Sequence, residues 1–144
     1  MSKPRLVIPT QAAQLLEGGF VHAGAWEVDG AGSIVFRGDE RLPREAGVYA
    51  YVVAGEVCYV GSAQRGLRTR LRHYEIAKTL RTAHRIRQEV LALLADDQRV
   101  DVYVIVPPAL ALNGVLPVDT VAGLEEGLIR SLRPRWNRRG MGER

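Results

Sequence analysis

Two tripeptides, Gly47-Val48-Tyr49 and Tyr59-Val60-Gly61, place two phenols ten residues apart. Behind them comes a stretch containing Arg65, Arg68, Arg70 and Arg72, then the adjacent carboxylates Glu125 and Glu126, and finally Arg135-Trp136-Asn137. Phenols, guanidinium groups and a carboxylate suit the hydrolysis of a phosphodiester. That bond is inert enough that a catalyst supplies on the order of 20 kcal/mol, and charge must be neutralised as it develops. A guanidinium gives planar, two-point hydrogen bonding to phosphate oxygens. A carboxylate gives hard oxygen to Mg2+, which keeps several of its waters and needs only one or two such ligands. Chemistry alone does not choose between Arg68 and Arg70, or between Glu125 and Glu126.

The charge distribution points to an anionic partner. The formal net charge is +4, yet residues 1–46 hold five basic and six acidic side chains against fifteen and ten in the remainder. Between Arg65 and Arg87 eight Lys or Arg stand against Glu75 alone, and between Arg130 and Arg144 six Arg stand against Glu143. Such clustering is the electrostatic footprint of nucleic-acid binding. The plainer explanation of a charge run is a solvated helix face. A single cysteine, Cys58, rules out an internal disulfide, and no Cys/His spacing suits structural zinc. The opening residues lack the apolar stretch of a signal peptide and no run is long enough to span a bilayer. A soluble protein in a reducing, cytoplasmic setting is the simplest expectation.

These side chains need a scaffold. Thr10 is placed to cap a short helix ending at Glu17, with Gly18-Gly19 as a stop. Ala25 to Asp29 and Ile34 to Phe36 read as an amino-terminal hairpin, and Gly38 to Glu45 as a linker. Val48 to Val53 and Glu56 to Gly61 flank Ala54-Gly55 as a second hairpin, rich in β-branched and aromatic residues. Leu67 to Lys78 and Ala83 to Ala95 have helical composition, Val100 to Val106 alternates as a strand, and a Gly- and Pro-rich loop then runs to Pro117. Asp119 or Thr120 can cap a last helix, Val121 to Leu132, which Pro134 ends.

Taken in order, the two tripeptides, the Gly66-Leu67-Arg68-Thr69-Arg70-Leu71 helix entry, Leu124-Glu125-Glu126-Gly127-Leu128-Ile129 and Arg133-Pro134-Arg135-Trp136-Asn137 resemble the GIY-YIG nuclease family, with Val for Ile in both tripeptides. The resemblance covers Ala46 to Arg138. It implies an α+β domain with a small three-stranded antiparallel sheet flanked by helices, residues 46–144, preceded by an amino-terminal helix and hairpin extension, residues 1–45. It also implies an endonuclease that binds one divalent cation, Mg2+ or Mn2+, and hydrolyses DNA rather than RNA.

The same resemblance implies the roles. Arg70 maps onto the essential arginine, with Arg68 as the competing assignment. Glu125, three residues before the Leu-Ile pair, maps onto the metal-binding glutamate. Tyr59 is the implied base, with Tyr49 hydrogen-bonding nearby. A phenol titrates near pH 10 unless positive charge lowers it, by about 1 to 3 units here. His73 is the more familiar base but does not match the family position. Tyr74, four residues after Arg70, shares its helix face, and Asn137 is implied to hold the final segment against the site. Arg65, Arg68, Arg72, His73, Lys78, Arg81 and Arg135 are candidate nucleic-acid contacts. Ser62 stands where relatives have a lysine near the phosphate.

Strand parity imposes one structural condition. A plain two-residue turn would put Tyr49 and Tyr59 on opposite faces of the hairpin, so a bulge or a longer loop is predicted. Two other functions fit the basic helices: a catalytically silent nucleic-acid-binding module, and a protein-interaction domain.

Overall fold

The computed structural model describes residues 10–38, 42–76 and 81–137. In chain order the elements are α1 (Gln11–Glu17), β1 (Val21–Val28), β2 (Ile34–Gly38), β3 (Gly47–Val53), β4 (Glu56–Ala63), α2 (Leu67–Ile76), α3 (Arg81–Ala95), β5 (Val100–Ile105), β6 (Leu110–Leu112), β7 (Leu116–Val118) and α4 (Thr120–Leu132). The protein is α+β, as the sequence implies.

The main sheet is larger than the three strands expected: it has five, in the order β2-β1-β5-β3-β4, and every pairing is antiparallel. The expected trio β3, β4 and β5 is there, but β5 has a second edge, and β1 occupies it. The amino-terminal hairpin β1-β2 therefore continues the same sheet. The pairing between β1 and β5 joins residues about eighty positions apart, a distance over which local sequence pattern carries no register.

Helices cover both faces. Val100, Val102 and Val104 of β5 join Trp26, Tyr49, Tyr51 and Tyr59 in a core beneath α2 and α3. Val48, Ala50, Val52, Val57 and Val60 face α1 and α4, forming the second core with Leu15, Phe20 and Val121. All seven residues of β3 are buried, as befits a strand covered from two sides.

Local chemistry sets the ends. The Thr10 hydroxyl accepts from the Ala13 N–H at 3.0 Å and starts α1; the Asp119 carboxylate does the same for α4 through Ala122, relieving N–H groups that have no partner inside the helix. At α2 the job falls to main-chain carbonyls: the N–H groups of Leu67 and Arg68 donate to Glu45 and Pro43. The segment expected to be a linker is thus strapped to α2 through its residues 43 and 45. Gly66 makes that approach possible, because its φ is 117° and a Cβ there would overlap the Arg44 carbonyl.

The expected loop between β5 and α4 contains a small hairpin instead. Among the described residues strands β6 and β7 pair with each other alone, across the three-residue connection Asn113 to Val115, in which Asn113 and Gly114 are both at positive φ, the combination that a primed turn requires.

Candidate active site

The β3-β4 hairpin turns at Ala54-Gly55, whose φ values are 50° and 82°. A two-residue turn alone would separate the tyrosines, and the structure resolves the parity with a bulge. Tyr51 lies opposite Tyr59 and Val52 opposite Val57, so Cys58 is the extra residue. In consequence Cys58 and Tyr59 both enter the core beneath α2 and α3, where Tyr49 already lies. Of the two expected solutions, a bulge or a longer loop, the strand uses the bulge.

Three phenol rings now cluster on one face, tilted to one another. Ring centroids are 6.2 Å apart for Tyr49 and Tyr59, and Tyr51 sits 5.6 Å from each. Tyr51 is buried against Trp26. Tyr49 is fully buried, and Tyr59 is 6% exposed. The Tyr49 ring lies directly over Gly61, where a Cβ would overlap Cζ and Oη of the phenol. The close approach of ring to strand depends on that glycine.

Helix α2 brings Arg70 to this face, and its Nε donates to the Tyr49 hydroxyl at 3.2 Å. This bond turns the Nε edge of the guanidinium toward the phenol. Arg68 is directed elsewhere: its Nε donates to the Leu42 carbonyl at 3.1 Å. Between the two candidate arginines, Arg70 is the one that meets a tyrosine.

Glu125 reaches β4 from the other side. Its Oε1 accepts from the Ser62 hydroxyl at 2.9 Å, and Ser62 pairs across the hairpin with Val48, a residue of the α1 and α4 layer. Tyr49, Tyr59 and Arg70 are therefore gathered on one face, while Glu125 meets the same strand from the opposite face, at the residue following Gly61. Glu126 is exposed and engaged with Arg130 at 2.8 Å. Glu125 is half-buried and, among the described residues, forms no ion pair. Its charge is left for something else to neutralise.

A divalent cation fits that donor set. Among the described residues no three His, Cys, Asp or Glu side chains cluster as a cage, so Glu125 would act as a single hard ligand to an ion that retains waters, the habit of Mg2+.

Asn137 is buried and clamps the outer edge of β4. Its Oδ1 accepts from the Val60 N–H and its Nδ2 donates to the Val60 carbonyl, each at 2.8 Å, while the Trp136 N–H donates to the Cys58 carbonyl at 2.9 Å. The edge strand is thus closed by two residues of the carboxyl-terminal segment.

Of the candidate nucleic-acid contacts, Arg65, Arg72 and Arg135 are exposed, and the Arg135 guanidinium lies 5.8 Å over the Trp136 ring. Lys78 and the side chains of His73, Tyr74 and Arg81 fall outside the described residues. The residue whose role the sequence did not disclose is Ser62: its partner is 63 positions away, and a serine at a strand end carries no signal of its own.

No protein-family model and none of the curated proteins matches the chain. Solved structures do. Bacteriophage T4 EndoII, in a mutant form, matches with a TM-score of 0.68 at 21% identity over 89% of this chain and 98% of its own. The restriction endonuclease HPY188I, in complex with product DNA, matches with a TM-score of 0.51 at 16% identity over 90% of this chain and 88% of its own. The GIY-YIG N-terminal endonuclease domain of UvrC from Thermotoga maritima, bound to magnesium, is 29% identical over 67% of this chain and 88% of its own, with a TM-score of 0.45. The spans shared with EndoII and HPY188I must reach into the first 45 residues, because residues 46–144 make up only about two thirds of the chain.

Proposed function

We propose that this chain, which has a GIY-YIG nuclease-like fold, is a divalent-metal-dependent endonuclease that hydrolyses phosphodiester bonds in DNA. One geometric observation carries the reading: Tyr49, Tyr59 and Arg70 share a face of the β3-β4 hairpin, and Glu125 joins that hairpin at Ser62. The product-DNA complex of a restriction endonuclease with the same fold and the divalent cation in the UvrC domain support the choice of substrate and metal.

The reaction follows from the groups. Water attacks phosphorus and its oxygen forms a new P–O bond; Tyr59, acting as phenolate, takes the water proton and becomes the phenol; the bond from phosphorus to the leaving 3′-oxygen breaks, and that oxygen is protonated from solvent. Arg70, oriented through Nε by Tyr49, donates to a non-bridging oxygen whose charge grows in the transition state, a contact typically worth about 3 to 4 kcal/mol. A divalent cation held by Glu125 supplies Lewis-acid neutralisation when bound. Ser62 holds that carboxylate. Asn137 acts indirectly, by fixing the strand on which Tyr59, Gly61 and Ser62 lie. Arg65, Arg72 and Arg135 supply sequence-independent attraction to the phosphate backbone.

A labelled duplex incubated with Mg2+ or Mn2+ tests the assignment. Cleavage that needs the metal and disappears in Glu125→Ala, with duplex affinity retained, is the expected result. Salt-sensitive binding without cleavage would replace the enzyme with a binding module, and binding indifferent to salt would remove nucleic acid from the account.

A further inference from the structure

Residues 42–45 are strapped across the start of α2 and bring one more cation there. Arg68 Nε donates to the Leu42 carbonyl at 3.1 Å, while the N–H groups of Arg68 and Leu67 donate to the Pro43 and Glu45 carbonyls at 2.9 and 3.0 Å. Between these contacts the Arg44 main chain lies against Gly66: a Cβ on that glycine would overlap the Arg44 carbonyl and fall 3.8 Å from its Cα. Arg44 and Arg65 are therefore neighbours along the backbone of the fold, although about twenty positions separate them in sequence. Both are exposed, and among the described residues neither forms an ion pair. Two carboxylates border the pair: Glu45 on the strap itself, and Asp119, which Gln64 meets at 3.4 Å and whose other oxygen caps α4. From Val57 to Tyr74 the chain has no Asp or Glu.

We infer that Arg44 and Arg65 form a clamp for the nucleic-acid backbone beside the cleavage site, holding phosphates that flank the one Arg70 contacts. The inference rests on the nuclease reading and gives the amino-terminal strap a share in substrate binding. Such a substrate is a polyanion that continues on both sides of the bond to be cut, with a phosphate about every 3.4 Å along each strand. The Arg70 N–H donates to the Gly66 carbonyl at 3.1 Å, so the clamp stands one helical turn, about 6 Å, ahead of Arg70. A strand seated at Arg70 and running toward the start of α2 brings its second or third phosphate to the clamp. The strap carbonyls already satisfy the Leu67 and Arg68 N–H groups, so two guanidinium side chains meet the anion there, not the helix end. Each can give a phosphate two parallel hydrogen bonds.

Fluorescence anisotropy of a labelled duplex tests it, with the full chain in EDTA so that no cleavage intervenes, across roughly 50 to 200 mM KCl. Arg44→Gln should lower the slope of log affinity against log salt by about 1, the signature of one lost phosphate contact, on every duplex sequence tried. The loss of affinity across that salt range should accordingly shrink by about three- to fourfold. Arg65→Gln should do the same, and Arg44→Lys should restore the slope. Arg99→Gln removes an equal charge at the far end of β5, where Arg99 pairs with Asp101, and should leave the slope unchanged. Circular dichroism and thermal melting of Arg44→Gln should match the unsubstituted chain, since it is the main chain of Arg44 that packs on Gly66. A wild-type slope in both Arg44→Gln and Arg65→Gln overturns the clamp and leaves the nuclease reading standing. An equal drop in Arg44→Gln and Arg99→Gln overturns it too, because net charge alone would then set the slope. An unsubstituted chain that binds no duplex at any salt removes both.

Discussion

The hydroxyl of Ser62 donates to Oε1 of Glu125 over 2.9 Å and ties the end of β4 to α4. Without it the carboxylate would choose among its rotamers. Groups that orient a metal ligand typically contribute 10- to 100-fold in affinity or activity. Ser62→Ala is accordingly expected to weaken Mn2+ binding by about tenfold in a calorimetric titration, and Ser62→Thr to restore most of it. Thermal stability should barely move, because the site is only half-buried. Unchanged Mn2+ affinity would reduce the bond to a tether.

Arg70 donates to the Tyr49 hydroxyl in a hydrogen bond of 3.2 Å, which makes their effects on turnover dependent on each other. Arg70→Ala should lower kcat by roughly 10²- to 10³-fold, the usual cost of removing one preorganised donor to a developing oxyanion. Tyr49→Phe should cost less, because the guanidinium remains and only its orientation loosens. In the double variant the second loss should nearly vanish, since residues acting through one another are not additive. Fully additive losses measured under single-turnover conditions would give Tyr49 an independent role.

Gly61 offers a steric test of the same face. A methyl group there would overlap the Tyr49 ring, so Gly61→Ala has to displace a fully buried phenol. Overpacking of this kind costs about 1 to 3 kcal/mol, readable in a urea titration, and the displaced Tyr49 should take the orientation of Arg70 with it. Duplex affinity, which the proposal assigns to exposed arginines, should persist while cleavage falls.

Cys58 is fully buried, and burial pushes its thiol above the ordinary range although the neighbouring Arg135 pulls the other way. The folded state therefore favours the protonated thiol. Its contribution to stability is complete below the unfolded thiol's pKa, near 8.5, and is lost as pH rises through the raised folded value. Native protein at pH 8 should resist a chromogenic disulfide reagent that titrates the unfolded chain at once. Cys58→Ser should flatten the decline in stability above pH 8.5, followed by denaturant titration.

What the sequence disclosed and what it withheld divide by range. The cap at Thr10, a cap at Asp119 or Thr120, the Ala54-Gly55 turn and the alternation from Val100 to Val106 are decided by neighbours within a few residues, and all were legible; the structure chose Asp119 and ended the strand at Ile105. Equally legible was the need for a bulge or a longer loop, because two tyrosines needed on one face cannot be ten residues apart around a plain two-residue turn; that it is a bulge, and that Cys58 is the extra residue, was not. The placement of β5 between β1 and β3 was not legible: it depends on which edge finds a partner some eighty residues away. The β6-β7 ribbon was hidden for a different reason. Its three-residue strands are exposed and one holds a proline, so Asn113-Gly114 was its sole local sign. The motifs named Tyr49, Tyr59, Arg70 and Glu125, but not that Glu125 approaches β4 from the layer opposite the rings.

Asn137 separates positioning from chemistry. Its side-chain amide satisfies both main-chain groups of Val60 on the outer edge of β4, at 2.8 Å each, and is itself buried. Truncation to alanine would strand a buried N–H and a buried carbonyl, a loss of about 2 to 4 kcal/mol, seen as a lower urea midpoint with an unchanged slope. Asn137→Asp keeps the acceptor for the Val60 N–H but sets a carboxylate against the Val60 carbonyl, so it should destabilise by a comparable amount. If the amide serves only to hold the strand, either variant should cleave at close to the normal rate once assayed well below its own melting transition and with saturating metal. A large fall in kcat under those conditions, with the fold intact by circular dichroism, would instead bring Asn137 into contact with the reacting groups.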